Sequence, residues 1–179
     1  HYLDAQTEGW RKVASAVHDA GGTIFQQIYH LGRKSDPSRM PDGLAPISSS
    51  AIAASGQVAG KNGPVEFTTP RSIETEEIPT IVDQFRQAAE RAKQAGMDGV
   101  EIHGANAYLI DQFLKSATNL RTDGYGGAPE NRCRFLFEIV DAVSAVFGPG
   151  RVGVRVSPHS RGDGIDDSNL PALYRCVAK

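Results

Sequence analysis

The chain has 179 residues, of which 40% are hydrophobic, and its formal net charge is -2. This composition is typical of a globular protein with a sizeable core and gives no indication of disorder. The acidic and basic residues are nearly balanced and scattered, so nucleic acid is not expected as a partner. Neither a long apolar run nor a basic-then-apolar start is present in the sequence. We therefore expect no membrane span, no signal peptide and a cytoplasmic location.

Apolar spacing predicts three helix-then-strand units in series. The first helix places Trp10, Val13, Ala14 and Val17 on one face. Short strands without neighbouring hairpin partners pair in parallel through right-handed crossovers, so the pattern predicts an α/β architecture. In chain order the units are helix 7–20 with strand 23–29, helix 78–95 with strand 99–103, and helix 129–147 with strand 151–156.

A long polar segment, residues 32–75, separates the first strand from the second helix and is rich in Ser, Pro and Gly. Loops of this length in compact domains are usually functional. The segment follows the carboxyl end of a strand, where α/β folds place their sites. We therefore expect it to border a functional site.

The cysteines and isolated histidines predict no metal site. Cys133 and Cys176 lie far apart in stretches of helical pattern, so we interpret them as buried small hydrophobic residues rather than a disulfide or reactive thiols. His18, His30 and His159 each lack a second ligand at metal-like spacing.

Three hydrogen-bonding side chains follow the second predicted strand within six positions: His103, Asn106 and Tyr108. An imidazole and an amide that donate to one carbonyl oxygen would withdraw electrons from a conjugated alkene. A phenol two residues further on could supply a proton. The spacing leaves a structural alternative open, in which His103 caps the strand, Asn106 makes a turn and Tyr108 packs its ring.

Two further polar residues lie in the other predicted strands. Gln27 interrupts an apolar strand, and Arg155 lies between valines. We expect both side chains to be buried, where an amide needs hydrogen-bond partners and a cation needs an anion or an electron-rich ring. The edge of a flavin or a nucleobase would supply the partners of the Gln27 amide. The alternative is internal satisfaction, of Gln27 by backbone and of Arg155 by a neighbouring carboxylate.

Long motifs across nearly the whole chain resemble the old yellow enzyme family, particularly its 12-oxophytodienoate reductase-like members. The longest part of the match is the run GMDGVEIHGANAYLIDQFL at 96–114, within a match that begins at Ile78. Shorter matches are RTDGYGG at 121–127, ENR at 130–132 and RVSP at 155–158.

The resemblance implies a TIM (β/α)8 barrel that binds FMN noncovalently, of which this chain covers roughly strands three to five. The family barrel is about twice as long as this chain. Residues 1–179 would then form the central part of one barrel domain, with N- and C-terminal barrel segments missing. The chain alone would expose strand edges and apolar helix faces, so we expect it to be inactive in isolation.

The resemblance also implies a role for each candidate residue in an FMN-dependent ene-reductase. His103 and Asn106 would bind the oxygen of an enone, enal, maleimide or nitroalkene, and Tyr108 would protonate the alkene carbon. Gln27 would hydrogen-bond the flavin pyrimidine, and Arg155 would stabilise the anionic reduced ring. The reductant would be NADPH or NADH.

Two other functions compete with this hypothesis. The chain could belong to a non-catalytic barrel remnant without flavin, or to a cofactor-free barrel lyase with His103 as its base. The lyase leaves Gln27 and Arg155 unexplained.

One departure from the family pattern is Tyr29, at a place where Trp is common. Family members occur as monomers and as larger assemblies, which leaves a homo-oligomer open.

Overall fold

A computed structural model describes residues 4–159 and 164–179. The third predicted helix has the predicted bounds. The first predicted strand is three residues shorter than expected, the second is one residue longer and the third is one residue shorter. In chain order the helices and strands are α1 (Asp4–Asp19), β1 (Phe25–Ile28), β2 (Ile47–Ser48), β3 (Gln57–Gly60), β4 (Gly63–Glu66), β5 (Arg71–Ser72), α2 (Ile78–Gln94), β6 (Gly99–Gly104), α3 (Leu109–Leu114), α4 (Pro129–Phe147), β7 (Val152–Val156) and α5 (Leu170–Val177).

The chain divides into two compact units. Unit one contains the described residues up to Tyr29 together with Pro79–His103 and Phe137–Arg155. Unit two contains His30–Ile78, Gly104–Leu136 and the described residues from Val156 onward. Each unit therefore draws on three separate stretches of sequence.

Unit one is built on a three-stranded sheet with the order β1-β6-β7. β1 and β6 are parallel, with Phe25 opposite Gly99 and Gln27 opposite Glu101. The predicted parallel pairing is thus confirmed for these two strands. Helices α2 and α4 and the central strand β6 contribute fully buried side chains to this unit: Ala89, Ala92, Val100, Ile102, Ile139 and Val143.

Helix α1 presents most of its predicted apolar face to solvent. Ala14 is buried, but Trp10 is 41% exposed and Val13 is 43% exposed. Phe25 and Tyr29, on and just after β1, are also exposed. Apolar helix faces and strand surfaces are thus open in this chain, as the sequence predicted.

Unit two contains regular structure where a long irregular segment was predicted. β3 and β4 form an antiparallel hairpin, and β2 pairs in parallel with β5. Short helix α3 is completely buried, and its Phe113 ring packs 4.3 Å, between centroids, from the ring of Phe135. The apolar spacing did not predict α3, which is shorter than the window in which helical periodicity is visible. The helical pattern expected around Cys176 is confirmed by α5.

An ion pair in unit two is almost fully buried. Arg132 Nη2 lies 2.7 Å from Asp167 Oδ2, and the two side chains are 5% and 0% exposed. Arg132 Nε also donates to the Leu114 carbonyl oxygen at 2.7 Å. A buried charge is tolerated when it is paired and hydrogen-bonded in this way, so the pair joins the start of α4 to the segment before α5.

The two cysteines are free thiols, and both are buried. Burial raises the pKa of Cys133 to about 12, and a contact with Cys176 adds to this shift. A thiol with so high a pKa is a poor nucleophile at neutral pH. The interpretation of both cysteines as buried small residues is confirmed.

Within residues 4–159 and 164–179, no helix combines the length and the apolar character needed to cross a lipid bilayer. The same residues contain no group of three or more His, Cys, Asp and Glu side chains arranged to hold a metal ion.

Candidate active site

His103 lies near the end of the central strand β6 in unit one and is only 4% exposed. Burial lowers the pKa of His103, the positive charge of Arg155 lowers it further, and Glu101 opposes part of the shift. The ring of Tyr29 meets the imidazole edge-on, with 6.4 Å between the centroids. His103 is therefore neutral at physiological pH, and a neutral imidazole has one N–H to donate.

Asn106 belongs to unit two and lies in a strained turn. Its φ is 56°, and that of Ala107 is 61°, so two consecutive residues have left-handed backbone. Such a conformation is unfavourable for Ala and persists only when the surroundings impose it. The Asn106 side chain is exposed, whereas Ala107 is fully buried. The turn predicted as the structural alternative for Asn106 is present.

Helix α3 supplies the contacts that impose the strained turn. The Ala107 N–H donates to Asp111 Oδ2 at 3.0 Å, and Gln112 Nε2 donates to the Ala107 carbonyl at 2.6 Å. Asp111 and Gln112 are both fully buried. The Asn106 N–H donates to Ser157 Oγ at 2.8 Å. The turn is thus held at both of its left-handed residues.

Tyr108 follows the turn directly and precedes α3. Its backbone N–H donates to the Ala105 carbonyl at 3.1 Å, and its own carbonyl accepts from the Gln112 N–H at 2.9 Å. The side chain is partly exposed. The backbone position of Tyr108 is therefore set by the turn and by the first helical turn after it.

Gln112 also explains why residue 32 of unit two is glycine. Its Oε1 accepts from Ser48 Oγ at 2.9 Å and from the Arg33 N–H at 3.2 Å. A Cβ at Gly32 would overlap the Gln112 amide, and Gly32 has a φ of 60°. Only glycine meets both demands. One buried amide thus connects the start of the long polar segment to the turn that carries Asn106.

Gln27 and Arg155 are both exposed, which corrects the prediction that they are buried. Each contacts the same carboxylate from a neighbouring strand. Glu101 Oε1 accepts from Gln27 Nε2 at 2.6 Å and from Arg155 Nε at 2.8 Å. Both side chains lie on the open face of the sheet of unit one, where Arg155 pairs with a neighbouring carboxylate as the structural alternative foresaw.

The structure brings Gln27 and Arg155 together through Glu101, and it places His103 in the same unit. Asn106 and Tyr108 lie in unit two. The functional roles of all five stay predictions. The residues that hold these side chains or their backbone in place had no predicted role. A polar residue within the apolar stretch of β6 or α3 was the sequence feature that could have indicated them. These supporting residues are Glu101, Asp111, Gln112 and Ser157.

His30 gives unit two a pH-dependent stability. Its Nδ1 accepts from the Gly32 N–H at 3.0 Å, and burial lowers its pKa from 6.5 to about 4. Between pH 4 and pH 6.5 the unfolded chain binds more protons than the folded chain. The stability that neutral His30 contributes is therefore fully present above pH 6.5 and is lost as the pH falls toward 4. From pH 7 to 5 the wild-type should lose about 2 kcal/mol more unfolding free energy than His30→Asn, whose amide oxygen still accepts the Gly32 bond.

Urea unfolding of both proteins at pH 7 and pH 5 measures this difference. His159→Asn serves as the control, because His159 is an exposed histidine of the same unit. Equal losses for the wild-type and His30→Asn would show that His30 does not titrate as its burial demands.

The chain belongs to the NADH:flavin oxidoreductase / NADH oxidase family, whose model matches residues 1–170. The family resemblance predicted from the motifs is confirmed. A probable flavin mononucleotide-dependent alkene reductase from Leishmania infantum is 47% identical, over 98% of this chain and 50% of the relative. The 12-oxophytodienoate reductase 1 of Oryza sativa subsp. japonica is 48% identical, over 88% of this chain and 40% of the relative.

Two solved structures of related proteins also match this chain. Morphinone reductase in complex with tetrahydroNAD matches 99% of this chain and 50% of its own, with a TM-score of 0.94 and 48% identity. An old yellow enzyme homologue from Zymomonas mobilis matches 97% of this chain and 48% of its own, with a TM-score of 0.93 and 41% identity. The predicted α/β class and the partial TIM barrel are confirmed, and the chain spans about half the length of these relatives.

Proposed function

We propose that the chain is the central segment of a longer FMN-dependent ene-reductase, called here the parent protein. The parent protein uses NADPH or NADH to reduce the activated C=C bond of α,β-unsaturated carbonyl or nitro compounds. The observation that carries the proposal is the group of Gln27, Glu101 and Arg155 on three adjacent strands. A cytoplasmic location and small-molecule partners belong to the same proposal.

The known relatives support this function. The matching family is described as NADH:flavin oxidoreductase / NADH oxidase, and the Leishmania relative is named as a flavin mononucleotide-dependent alkene reductase. The morphinone reductase structure contains tetrahydroNAD, a nicotinamide analogue. Because each relative is about twice as long as this chain, the activity is proposed for the parent protein.

The exposed groups fit the pyrimidine ring of FMN. A flavin pyrimidine presents an imide N–H between two carbonyl oxygens. The Gln27 amide has one acceptor and one remaining N–H for such an edge. Arg155 keeps its two terminal amino groups after Nε has bonded to Glu101. Gln27 and Arg155 would hold the flavin, which when bound supplies the hydride.

His103 and Asn106 would bind the substrate oxygen. The neutral imidazole and the exposed amide each have an N–H to donate. Negative charge grows on this oxygen as the alkene accepts a hydride, so both hydrogen bonds strengthen in the transition state. Tyr108 would then transfer its hydroxyl proton to the alkene carbon next to the activating group.

Titration of FMN into the parent protein and into the 179-residue chain tests the proposal. We expect the parent protein to bind about one FMN per chain with a shifted visible spectrum, and to oxidise NADPH or NADH when 2-cyclohexenone is added. The isolated chain should bind FMN weakly and should not turn over.

The alternatives predict different outcomes. A parent protein that takes up no FMN would exclude the flavoenzyme and favour the remnant or the lyase. A parent protein that binds FMN but never transfers electrons to an activated alkene would exclude ene-reduction and leave flavin binding intact.

A further inference from the structure

Glu101 occupies the middle of the group that the proposed flavin site uses. It lies on the central strand β6, directly opposite Gln27 on β1, and Arg155 lies on the other neighbouring strand. One oxygen of Glu101 accepts from both side chains, at 2.6 Å and 2.8 Å. We propose that Glu101 is a positioning residue, which orients Gln27 and Arg155 toward the flavin and offsets the charge of Arg155. This inference rests on the proposed function.

The first consequence is a fixed orientation of the Gln27 amide. An unrestrained glutamine amide can flip by 180° and exchange its oxygen and nitrogen. Here a flip would turn the Gln27 oxygen toward the Glu101 carboxylate, which accepts hydrogen bonds only. The carboxylate therefore selects the orientation in which the Gln27 oxygen and its second N–H remain for a ligand.

The second consequence concerns Arg155. Glu101 binds the guanidinium through Nε, which leaves the two terminal amino groups for a ligand. The Arg155 side chain is 54% exposed, so without this contact it would sample many rotamers. Glu101 therefore lowers the conformational cost of presenting the cation in one place.

The third consequence is electrostatic. The hydrogen bond from Arg155 is the largest cause that lowers the pKa of Glu101, and a hydrogen bond from Gln27 lowers it further. Glu101 is thus ionised at neutral pH, and its charge opposes that of Arg155. An anionic reduced flavin beside this pair meets less positive potential than it would beside Arg155 alone.

A purely structural ion pair is the competing interpretation. The two side chains of the pair are 54% and 33% exposed, and exposed ion pairs contribute little to stability. Such a pair would not change flavin affinity or reduction potential when altered. Measurements on the flavin therefore separate the two interpretations.

Two substitutions in the parent protein distinguish the effect of the side-chain length of Glu101 from the effect of its charge. Glu101→Gln keeps the length of the side chain and an acceptor oxygen but removes the charge. Glu101→Asp keeps the charge but withdraws the carboxylate by one methylene. Glu66→Gln is the matched control, because Glu66 accepts from Gln57 Nε2 at 2.9 Å across the exposed β3–β4 hairpin. The probes are the FMN dissociation constant and the midpoint potential of the bound flavin.

Glu101→Asp should raise the FMN dissociation constant about tenfold, because the short side chain cannot reach both donors. Glu101→Gln should favour reduced over oxidised flavin by about tenfold, which raises the two-electron potential by about 30 mV. Glu66→Gln should leave both quantities unchanged.

The proposal for Glu101 is overturned if Glu101→Asp keeps the wild-type dissociation constant, or if Glu101→Gln keeps the wild-type potential. Circular dichroism of each variant separates these outcomes from misfolding. A wild-type parent protein that binds no FMN overturns the proposed function itself, and this failure is visible before any variant is measured.

Discussion

Tyr108→Phe should slow the reduction of 2-cyclohexenone by the parent protein by about 100-fold or more, the usual contribution of a positioned general acid. The substitution removes the hydroxyl proton and keeps the ring. It also keeps the backbone hydrogen bonds of residue 108 to Ala105 and Gln112, so the turn should stay intact. Reduction of bound FMN by NADPH or NADH, followed at the visible flavin band in a stopped-flow experiment, should keep its wild-type rate.

Tyr125→Phe is the matched control, because it removes one phenol hydroxyl from the same unit at a residue outside the proposed site. It should leave both half-reactions unchanged. A wild-type rate of alkene reduction in Tyr108→Phe would mean that water or another side chain delivers the proton, and Tyr108 would lose its proposed role.

His103→Ala should lower kcat/KM for the same substrate by about 100-fold, which corresponds to about 3 kcal/mol of transition-state stabilisation. The substitution removes one of the two proposed donors to the substrate oxygen. His103→Asn should recover part of the loss because its amide still donates. Steady-state kinetics of both variants, with FMN content measured in each, test this expectation.

The pH dependence of the rate of alkene reduction is a second test of the role of His103. Burial lowers the pKa of His103, the charge of Arg155 lowers it further, and Glu101 opposes part of the shift, so the neutral imidazole is favoured at neutral pH. The rate of alkene reduction between pH 8 and pH 7 should therefore not depend on protonation of His103. His18→Ala, which changes an exposed histidine of the same unit, should behave as the wild-type. Wild-type kinetics in His103→Ala would remove His103 from the proposed oxygen site.

The local pattern of the sequence was enough to predict most of unit one. Helix α4 has the predicted bounds because Pro129 begins it and a Gly-Pro-Gly run follows it, and both signals act within a few residues. The parallel pairing of β1 and β6 followed from short strands separated by a helix. Long motifs identified the family, since a match of this length is far more specific than any periodicity.

Burial could not be predicted in the same way. Gln27 and Arg155 were expected inside because they interrupt apolar strands, yet both are exposed, as Phe25 is. The exposure of a strand residue depends on what covers its face of the sheet, and no pattern within a strand encodes that cover. The three exposed residues lie on strands of the same sheet, and its face toward Gln27 is open in this chain.

The same distinction between local sequence and tertiary structure applies to the candidate site. By itself, the sequence determined which chemically useful side chains follow each strand, since residue type and chain position are local properties. Only the tertiary structure decided that one oxygen of Glu101 joins Gln27 to Arg155, because that contact depends on the register of three strands distant in sequence. It also decided the left-handed turn at Asn106 and Ala107, because buried groups of α3 and Ser157 impose a backbone that the local sequence does not favour.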